Sequence, residues 1–247
     1  MPASLEQISI NQQSDEIDYS DAINLISTTD PDSKITYANQ HFSDVAGYTA
    51  AEMISQPHNL VRHQDMPKQA FAQLWEYIGS GKNWMGLVKN SSKQGEHYWV
   101  SAFVTPITDE QGAIIEYQSV RSKPSRDKVK RASTLYNKLQ SDKPASASKI
   151  RFKQNTTVTA LLGLTALLLI AQFITSGISL LTIATLVILS ATFVITLYSQ
   201  SRIQHLTILA KEAYDNPLME HVYTGKKDDF SVIELALNMR KAELRAV

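Results

Sequence analysis

The sequence contains no cysteine among its 247 residues. This absence excludes disulfide bonds, thiolate zinc sites and switching by thiol oxidation, so any response to redox conditions must come from a bound cofactor. The six histidines are scattered, and His58 with His63 lacks the further ligands of a zinc site, so we expect no metal. No glycine-rich phosphate loop, Ser/His/Asp arrangement or pair of acid/base carboxylates stands out, and we do not expect an enzyme.

Charged side chains are also absent between Lys153 and Arg202. One membrane crossing takes about 20 apolar residues, so residues 154–201 have room for two. The weakest apolar point, Thr175–Ile178, contains a glycine that can form a turn. We therefore predict a transmembrane hairpin over 154–201. A single tilted helix or a buried core hairpin is disfavoured, because a chain of this length could not cover so much apolar surface.

Basic residues flank this stretch on both sides, which places both ends in the cytoplasm by the positive-inside rule. We expect a two-pass protein of the bacterial inner membrane with cytoplasmic N- and C-terminal parts. The net charge is zero, and the local basic cluster suits anionic membrane lipid better than nucleic acid. Residues 1–23 carry no secretory signal and are predicted to form a flexible arm. The flanking residues are Lys138, Lys143, Lys149, Arg151, Lys153, Arg202 and Lys211.

Residues 24–122 have the pattern of one small α+β domain. Two short β-rich runs come first, several short helical segments follow, and three longer strands joined by glycine-bearing loops close the domain. This order predicts a five-stranded antiparallel sheet with short helices on one face, which can enclose a pocket. The predicted strands are Leu25–Thr29, Lys34–Ala38, Asn83–Ser91, Glu96–Ile107 and Ala113–Arg121, and the predicted helices are Asn39–Val45, Ala50–Ile54 and Pro67–Ile78.

The parts on either side of the predicted hairpin are polar. Residues 123–153 are a basic linker that includes a short helix, and residues 202–247 contain two amphipathic helices with a non-helical connector. Two such helices bury little surface alone. We therefore expect a homodimer in which they form a four-helix bundle.

A candidate anion site precedes the third predicted helix. Arg62 and His63 lie just ahead of its first turn, where a guanidinium, an imidazole and free backbone N–H groups can converge. Asp65 can hold either side chain in place or cap the helix. Phe71 and Trp75 then offer flat apolar surfaces further along the helix. This combination suits a ligand with phosphates at one end and an aromatic ring system at the other.

Two asparagines complete the predicted pocket. Strand alternation puts Asn90 on the same face as Trp84, and Asn39 lies opposite, so paired carboxamides could face a ring such as an isoalloxazine.

Each of these residues also has a structural interpretation. Arg62 with Asp65 can be an ordinary surface ion pair, Phe71 and Trp75 can be core residues, and Asn90 can be a solvated strand residue.

The combination of short motifs resembles the flavin-binding PAS domain of bacterial aerotaxis receptors. The resemblance covers residues 24–122 closely, and it extends to the membrane hairpin and a HAMP-like segment in order and kind. The motifs are Ser27-Thr-Thr-Asp30, Ile35-Thr-Tyr-Ala-Asn39, Ala46-Gly-Tyr48, Gln56-Pro-His-Asn59, Val61-Arg-His63, Asp65-Met-Pro67, Val88-Lys-Asn90 and His97-Tyr-Trp-Val100.

This resemblance implies a redox or oxygen (energy) sensor with non-covalently bound FAD. The redox state of the FAD follows the electron-transport chain and is signalled through a HAMP domain to a chemotaxis kinase complex. The resemblance ties seven residues to flavin binding, with His58 and Trp84 as further matching positions. The seven are Asn39, Arg62, His63, Asp65, Phe71, Trp75 and Asn90.

The chain departs from that family in two places. It ends at Val247, directly after the second HAMP-like helix, so the C-terminal methyl-accepting signalling domain is absent. We expect either a fragment or a short relative, which reaches the kinase only if a longer chain or a partner supplies that domain. Asp228–Val232 also differs from the acidic-residue-glycine pattern usual at the start of the second HAMP helix.

Two alternative functions stay open. One is a haem-binding PAS gas sensor with His58 or His63 as axial ligand. Against it, a haem ligand is expected in an apolar wall, whereas His63 is next to Arg62 and near Asp65. The other is a ligand-free PAS interaction module on a membrane anchor.

Overall fold

The computed structural model describes residues 8–11, 15–141, 154–177 and 179–246. The chain forms two compact units. The first combines the part up to residue 147 with 216–225 and 237–247, and the second combines 148–215 with 226–236. Lys143, Lys149, Arg151 and Lys153, four of the predicted flanking cations, lie outside the described residues.

The first unit is built on a seven-stranded sheet. Five strands pair antiparallel in the order β4-β3-β7-β6-β5, and β2 joins β6 in parallel through the single pair Glu16–His97 while β1 pairs with β2. The strands are β1 (Ile8–Asn11), β2 (Glu16–Tyr19), β3 (Leu25–Thr29), β4 (Ile35–Ala38), β5 (Trp84–Ser91), β6 (His97–Thr108) and β7 (Ile114–Ser122).

The predicted number of five strands is therefore wrong. The two extra strands come from residues 8–11 and 16–19, which were assigned to a flexible arm. In β2, Ile17 and Tyr19 are buried, and the Tyr19 hydroxyl donates a hydrogen bond to the carbonyl of Trp99 at 2.9 Å. The acidic side chains on the other face of β2 pair with Lys123 and Arg126. The alternation of buried and acidic side chains covers only four residues, too few to indicate a strand within a polar segment.

Short helices connect the strands and pack against the inner face of the sheet. Asn39 caps α1, which ends at Gly47 with a left-handed φ of +72°, and Thr49 with Glu52 forms a capping box on α2. The four elements are α1 (Gln40–Ala46), α2 (Ala50–Met53), a 3₁₀ turn (His58–Val61) and α3 (Lys68–Gly79). The bounds of the three α-helices agree with those predicted to within a residue or two, whereas the 3₁₀ turn was not predicted.

Two further helices of this unit lie against strands β5 and β6. These are α4 (Arg126–Gln140), from the predicted linker, and α7 (Glu220–Thr224), which was not predicted. The Tyr136 ring stacks on Trp99 with centroids 6.2 Å apart, and its hydroxyl donates to the carbonyl of Leu87. Residues 216–225 thus belong to the same compact unit as the sheet.

The second unit contains two long apolar helices, α5 (Gln154–Ser176) and α6 (Leu180–Ala213). The chain turns at Gly177, whose φ is +71°, and the two helices pack against each other. Val158–Thr175 and Leu180–Ala213 are long and apolar enough to cross a membrane, and their apolar side chains are largely exposed. At about 1.5 Å per residue, the 34 residues of α6 form a helix longer than the bilayer core is thick. The helix runs on to Ala213, so the first predicted HAMP-like helix is its continuation rather than a separate element. The last helix is α8 (Asp229–Ala246).

Candidate functional site

A cavity of about 390 Å³ lies between α3, the 3₁₀ turn and the inner face of the sheet. Its volume falls within the range of small-molecule pockets. Strand alternation directs every second residue of β3, β5, β6 and β7 into it. The lining includes Ser27, His58, Arg62, Phe71, Leu74, Trp75, Val88, Asn90, Ala102, Val104, Tyr117, Ser119 and Arg121.

A buried arginine forms one wall of this cavity. Arg121 is 3% exposed, its Nη2 donates to Ser27 Oγ at 3.0 Å, and its guanidinium lies 4.7 Å from the centre of the Phe42 ring. In the part of the chain that the structure describes, no carboxylate is paired with it, and Nη1 has no hydrogen-bond partner. Burial lowers the pKa of Arg121 to about 10, so it stays protonated at neutral pH. Arg121 is therefore a buried positive charge that no carboxylate pairs with, although Asp32 is among the other residues that line the cavity.

His58 is held neutral beside this arginine. Its Nε2 lies 2.6 Å from Arg121 Nη2. An arginine can only donate, so Nε2 accepts and the ring proton is on Nδ1. Burial, and then the positive charge of Arg121, lower the pKa of His58 to about 3. The imidazole acts as an acceptor that orients the guanidinium.

Two more polar groups face the cavity without partners. Asn90 and Ser119 are 2% and 7% exposed, and Asn90 Nδ2 and Ser119 Oγ form no hydrogen bond of ordinary geometry within the described chain. The Asn90 side chain does lie close enough to the Tyr98 hydroxyl to oppose the rise that burial causes in the pKa of Tyr98. Buried polar groups are nearly always paired, and each unpaired one costs about 1–3 kcal/mol. Together with Nη1 of Arg121 they form a set of three donors, which we call the donor triad (Asn90, Ser119, Arg121). The donor triad fits a ligand that carries several hydrogen-bond acceptors.

Aromatic groups and a second cation also line the cavity. The Arg62 guanidinium lies 4.3 Å from the centre of the Phe71 ring, and its Nη2 donates to the carbonyl of Met66 at 3.0 Å. Trp75 is 41% exposed and meets Tyr117 edge to face at 5.8 Å. This region offers flat apolar surfaces beside a positive charge.

Five of the nine predicted site residues line the cavity, namely His58, Arg62, Phe71, Trp75 and Asn90. Asn39 and Trp84 do not. Asn39 Oδ1 accepts from the backbone N–H groups of Ile26 and Phe42, both at 3.0 Å, so its carboxamide holds α1 on β3. Trp84 is buried, and its indole N–H donates to Gln73 at 3.2 Å.

His63 and Asp65 also lie outside the cavity lining. The Asp65 carboxylate pairs with Lys89 at 2.6 Å, so it neither pairs with Arg62 nor caps α3, whose N-cap is Pro67 without a side-chain hydrogen bond. The predicted Asp65 cap is therefore wrong. The assignment of the nine residues to cofactor binding stays a prediction.

Sequence reasoning missed Arg121 and Ser119. Both lie on the face of β7 that also carries Tyr117. A charged residue at an inward position of a strand was the available signal, because such residues are seldom buried without a function. No group of three or more potential ligands that could hold a metal ion occurs among the described residues.

Comparison with known proteins agrees with this architecture. Residues 35–121 match the family model described as the PAS fold. The aerotaxis receptor of Escherichia coli (strain K12) is 46% identical over 119 residues, which are 48% of this chain and 23% of the receptor. The nitrogen fixation regulatory protein of Klebsiella pneumoniae is 29% identical over 96 residues, 39% of this chain and 19% of that protein.

A solved light-oxygen-voltage domain, studied with a flavin analogue, aligns with a TM-score of 0.42 at 23% identity, over 49% of this chain and 90% of that domain. The matched region spans about a quarter or less of the length of the two curated relatives. Residues 35–121 thus match the PAS fold and lie in a chain that is similar in sequence to an aerotaxis receptor and carries two helices long and apolar enough to span a membrane.

Proposed function

We propose that this chain is a redox sensor that binds FAD non-covalently in the cavity of its PAS domain and passes the redox state of the flavin to residues 202–247. The donor triad carries the proposal. Three buried polar groups on two strands face one cavity without partners, which is costly unless a ligand completes their hydrogen bonds.

The residues present fit a flavin. Carbonyl oxygens and unprotonated nitrogens along one edge of an isoalloxazine accept hydrogen bonds, which matches Asn90 Nδ2, Ser119 Oγ and Arg121 Nη1. Val88, Ala102 and Val104 supply apolar walls for a planar ring system. Arg62, which also lines the cavity, is the cation that would hold the phosphates. When bound, the flavin supplies reversible uptake of electrons.

Arg121 gives the site its preference for negative charge. A protonated, desolvated guanidinium stabilises charge that develops on a neighbouring group, because the local dielectric is low. His58 adds no second positive charge at this point, because its imidazole is neutral. Arg121 is therefore the member of the donor triad whose hydrogen bonding would respond most strongly to added negative charge on a bound flavin.

Strand β5 connects the donor triad to the C-terminal part. Asn90 lies on its inner face, while the carbonyls of Met85 and Leu87 accept hydrogen bonds from Asn216 Nδ2 and the Tyr136 hydroxyl. Asn216 is fully buried, and the Met85 bond is 2.7 Å long. A shift of β5 on reduction changes the packing of residues 216–225, which biases the equilibrium between two packings.

Similarity to the aerotaxis receptor supports the same function. We extend the proposal to a two-pass inner-membrane protein that is dimeric, contacts anionic lipid with its basic flank, has no enzymatic activity and takes its input from the electron-transport chain. Signalling to a chemotaxis kinase complex requires a longer chain or a partner with the signalling domain.

The two alternative functions fit the cavity less well. A haem iron would require His58 to give up its contact with Arg121, since Nε2 is already an acceptor. A ligand-free module would leave the donor triad with water as its only partner.

The test is a spectrum of the detergent-solubilised full chain before and after chemical reduction, with limited proteolysis in both states. The proposal predicts flavin bands that bleach on reduction, and a change in cleavage within 216–225. Absence of flavin bands even after FAD is added would refute binding. Bleaching without any change in cleavage would refute the route through β5.

A further inference from the structure

His63 occupies an unusual position beside the cavity. It is next to Arg62 in the chain, yet its own side chain lies outside the lining. The side chain is only 14% exposed and packs edge to face on His97, with ring centroids 5.8 Å apart. A mostly buried imidazole that does not reach the cavity can influence the ligand only through another residue.

Hydrogen bonds connect this imidazole to the cavity cation. His63 Nδ1 accepts from the backbone N–H of Asp65 at 3.0 Å, and the carbonyl of His63 accepts from the N–H of Met66 at 3.1 Å. The carbonyl of Met66 in turn accepts from Arg62 Nη2 at 3.0 Å. The ring therefore closes the tight turn 62–66, and that turn fixes the direction of the Arg62 guanidinium.

The same turn is attached to strand β5. The N–H of His63 donates to the carbonyl of Lys89 at 3.3 Å, and Arg62 forms an isolated antiparallel bridge with Asn90. One short turn thus holds Arg62 beside a member of the donor triad.

Protonation of His63 is incompatible with this arrangement. With a proton on Nδ1, the ring nitrogen and the Asp65 N–H would be two donors 3.0 Å apart. The alternative acceptor, Asp65 Oδ2, lies 3.4 Å away and already pairs with Lys89 at 2.6 Å. A charged imidazole must therefore compete with Lys89 for one carboxylate.

The charges around the ring favour its neutral form. Lys89 of β5 and His97 of β6 face it, and Asp65 of its own turn is the one carboxylate that acts on it among the described residues. Burial first, then Lys89, lowers the pKa of His63 below the ordinary value of 6.5. His97 has a lowered pKa for the same two reasons, although Glu16, Asp65 and Asp15 oppose the shift.

We propose that neutral His63 is a positioning residue that closes the turn 62–66 and so holds Arg62 toward the cofactor, and that its protonation opens the turn and weakens cofactor binding at acidic pH. The proposal rests on the proposed function, because the cofactor is the FAD assigned to the cavity. A turn that requires neutral His63 is intact above the unperturbed pKa of 6.5 and is lost as pH falls through the lower pKa of the closed state.

The experiment compares the pH dependence of FAD binding in detergent-solubilised wild type, His63→Asn and His97→Asn. In His63→Asn the introduced carboxamide oxygen can accept the Asp65 N–H but does not titrate in this range. Between about pH 7.5 and about pH 5.5 the wild-type Kd should rise about threefold to tenfold, the cost of one lost hydrogen bond. In His63→Asn the Kd should change by less than about twofold between these two pH values, whatever its value at the higher pH. His97→Asn should keep the pH dependence.

A second measurement uses only the wild-type protein, so it does not depend on whether a variant folds. By linkage, FAD binding to the wild type at about pH 6 should release protons, seen as a dependence of the calorimetric heat on the ionisation enthalpy of the buffer. Tight FAD binding with no pH dependence and no proton release would overturn this inference and leave the proposed function intact. Retention of the wild-type pH dependence by His63→Asn would also overturn it. No FAD binding at any pH would overturn both proposals.

Discussion

Replacing Arg121 with methionine separates a ligand-binding role from a structural one. The guanidinium donates charge-assisted hydrogen bonds to Ser27 and to His58 and lies over the Phe42 ring. Losing these hydrogen bonds costs about 1.5–3 kcal/mol each, whereas removing a buried charge that no carboxylate pairs with recovers several kcal/mol of desolvation. We therefore expect the free energy of unfolding of the cofactor-free protein to change by less than about 1 kcal/mol, or to rise.

In contrast to stability, the affinity for FAD should fall in Arg121→Met. A hydrogen bond from a charged donor to the ligand is worth about 1.5–3 kcal/mol, so the Kd should rise roughly 10- to 150-fold. Flavin fluorescence titration measures the Kd, and urea unfolding measures the stability. Arg126→Met is the matched control, because Arg126 is exposed and pairs with Glu16 away from the cavity. A Kd within about twofold of wild type, together with a stability loss of about 3–5 kcal/mol, would show that Arg121 only supports the core and would refute the reasoning.

Three other substitutions test the account. Asn39→Ala should lower the free energy of unfolding, measured in urea, by about 2–3 kcal/mol, because it removes the α1 cap and a hydrogen bond to β3. Asn39→Asp keeps the accepting oxygen and should lose less stability. Equal losses in the two variants would contradict the cap. In the cofactor-free protein, the free energy of unfolding should fall as the pH drops from about 6.5 toward about 3, because the folded state requires neutral His58. His58→Gln should reduce that fall. The same pH profile in His58→Gln as in the wild type would contradict the neutral imidazole. Asn216→Ala should increase protease cleavage within 216–225, because Met85 loses its partner; wild-type protection would show that this hydrogen bond does not hold the segment.

Local patterns predicted the central part of the fold well. The strands β3 to β7 and the helices α1 to α3 lie within a few residues of their predicted bounds, because their signals are local: glycine loops, period-two alternation of strand residues and helical periodicity. Alternation along β5 also placed Asn90 on the cavity face. These features depend on neighbours in the chain, which a sequence displays directly.

The parts that could not be predicted depend on contacts distant in the chain. β2 becomes a strand because Tyr19 bonds to Trp99, 80 residues away, and α7 lies in a segment anchored by the Asn216 bond to Met85. In the sequence, Arg121 is only the last residue of a predicted strand. Its place in the cavity wall depends on its contacts with Ser27 and His58 in the fold. Such partners come from tertiary packing, so no local pattern reveals them.

The most direct test of the central claim is to identify what the cavity holds in the purified full chain. The protein is denatured, the released small molecules are separated by chromatography, and their amount is compared with the amount of protein. The account predicts FAD near one molecule per chain, and a large decrease in Arg121→Met and Asn90→Ala. Recovery of haem, or of no flavin from protein incubated with FAD, would contradict it.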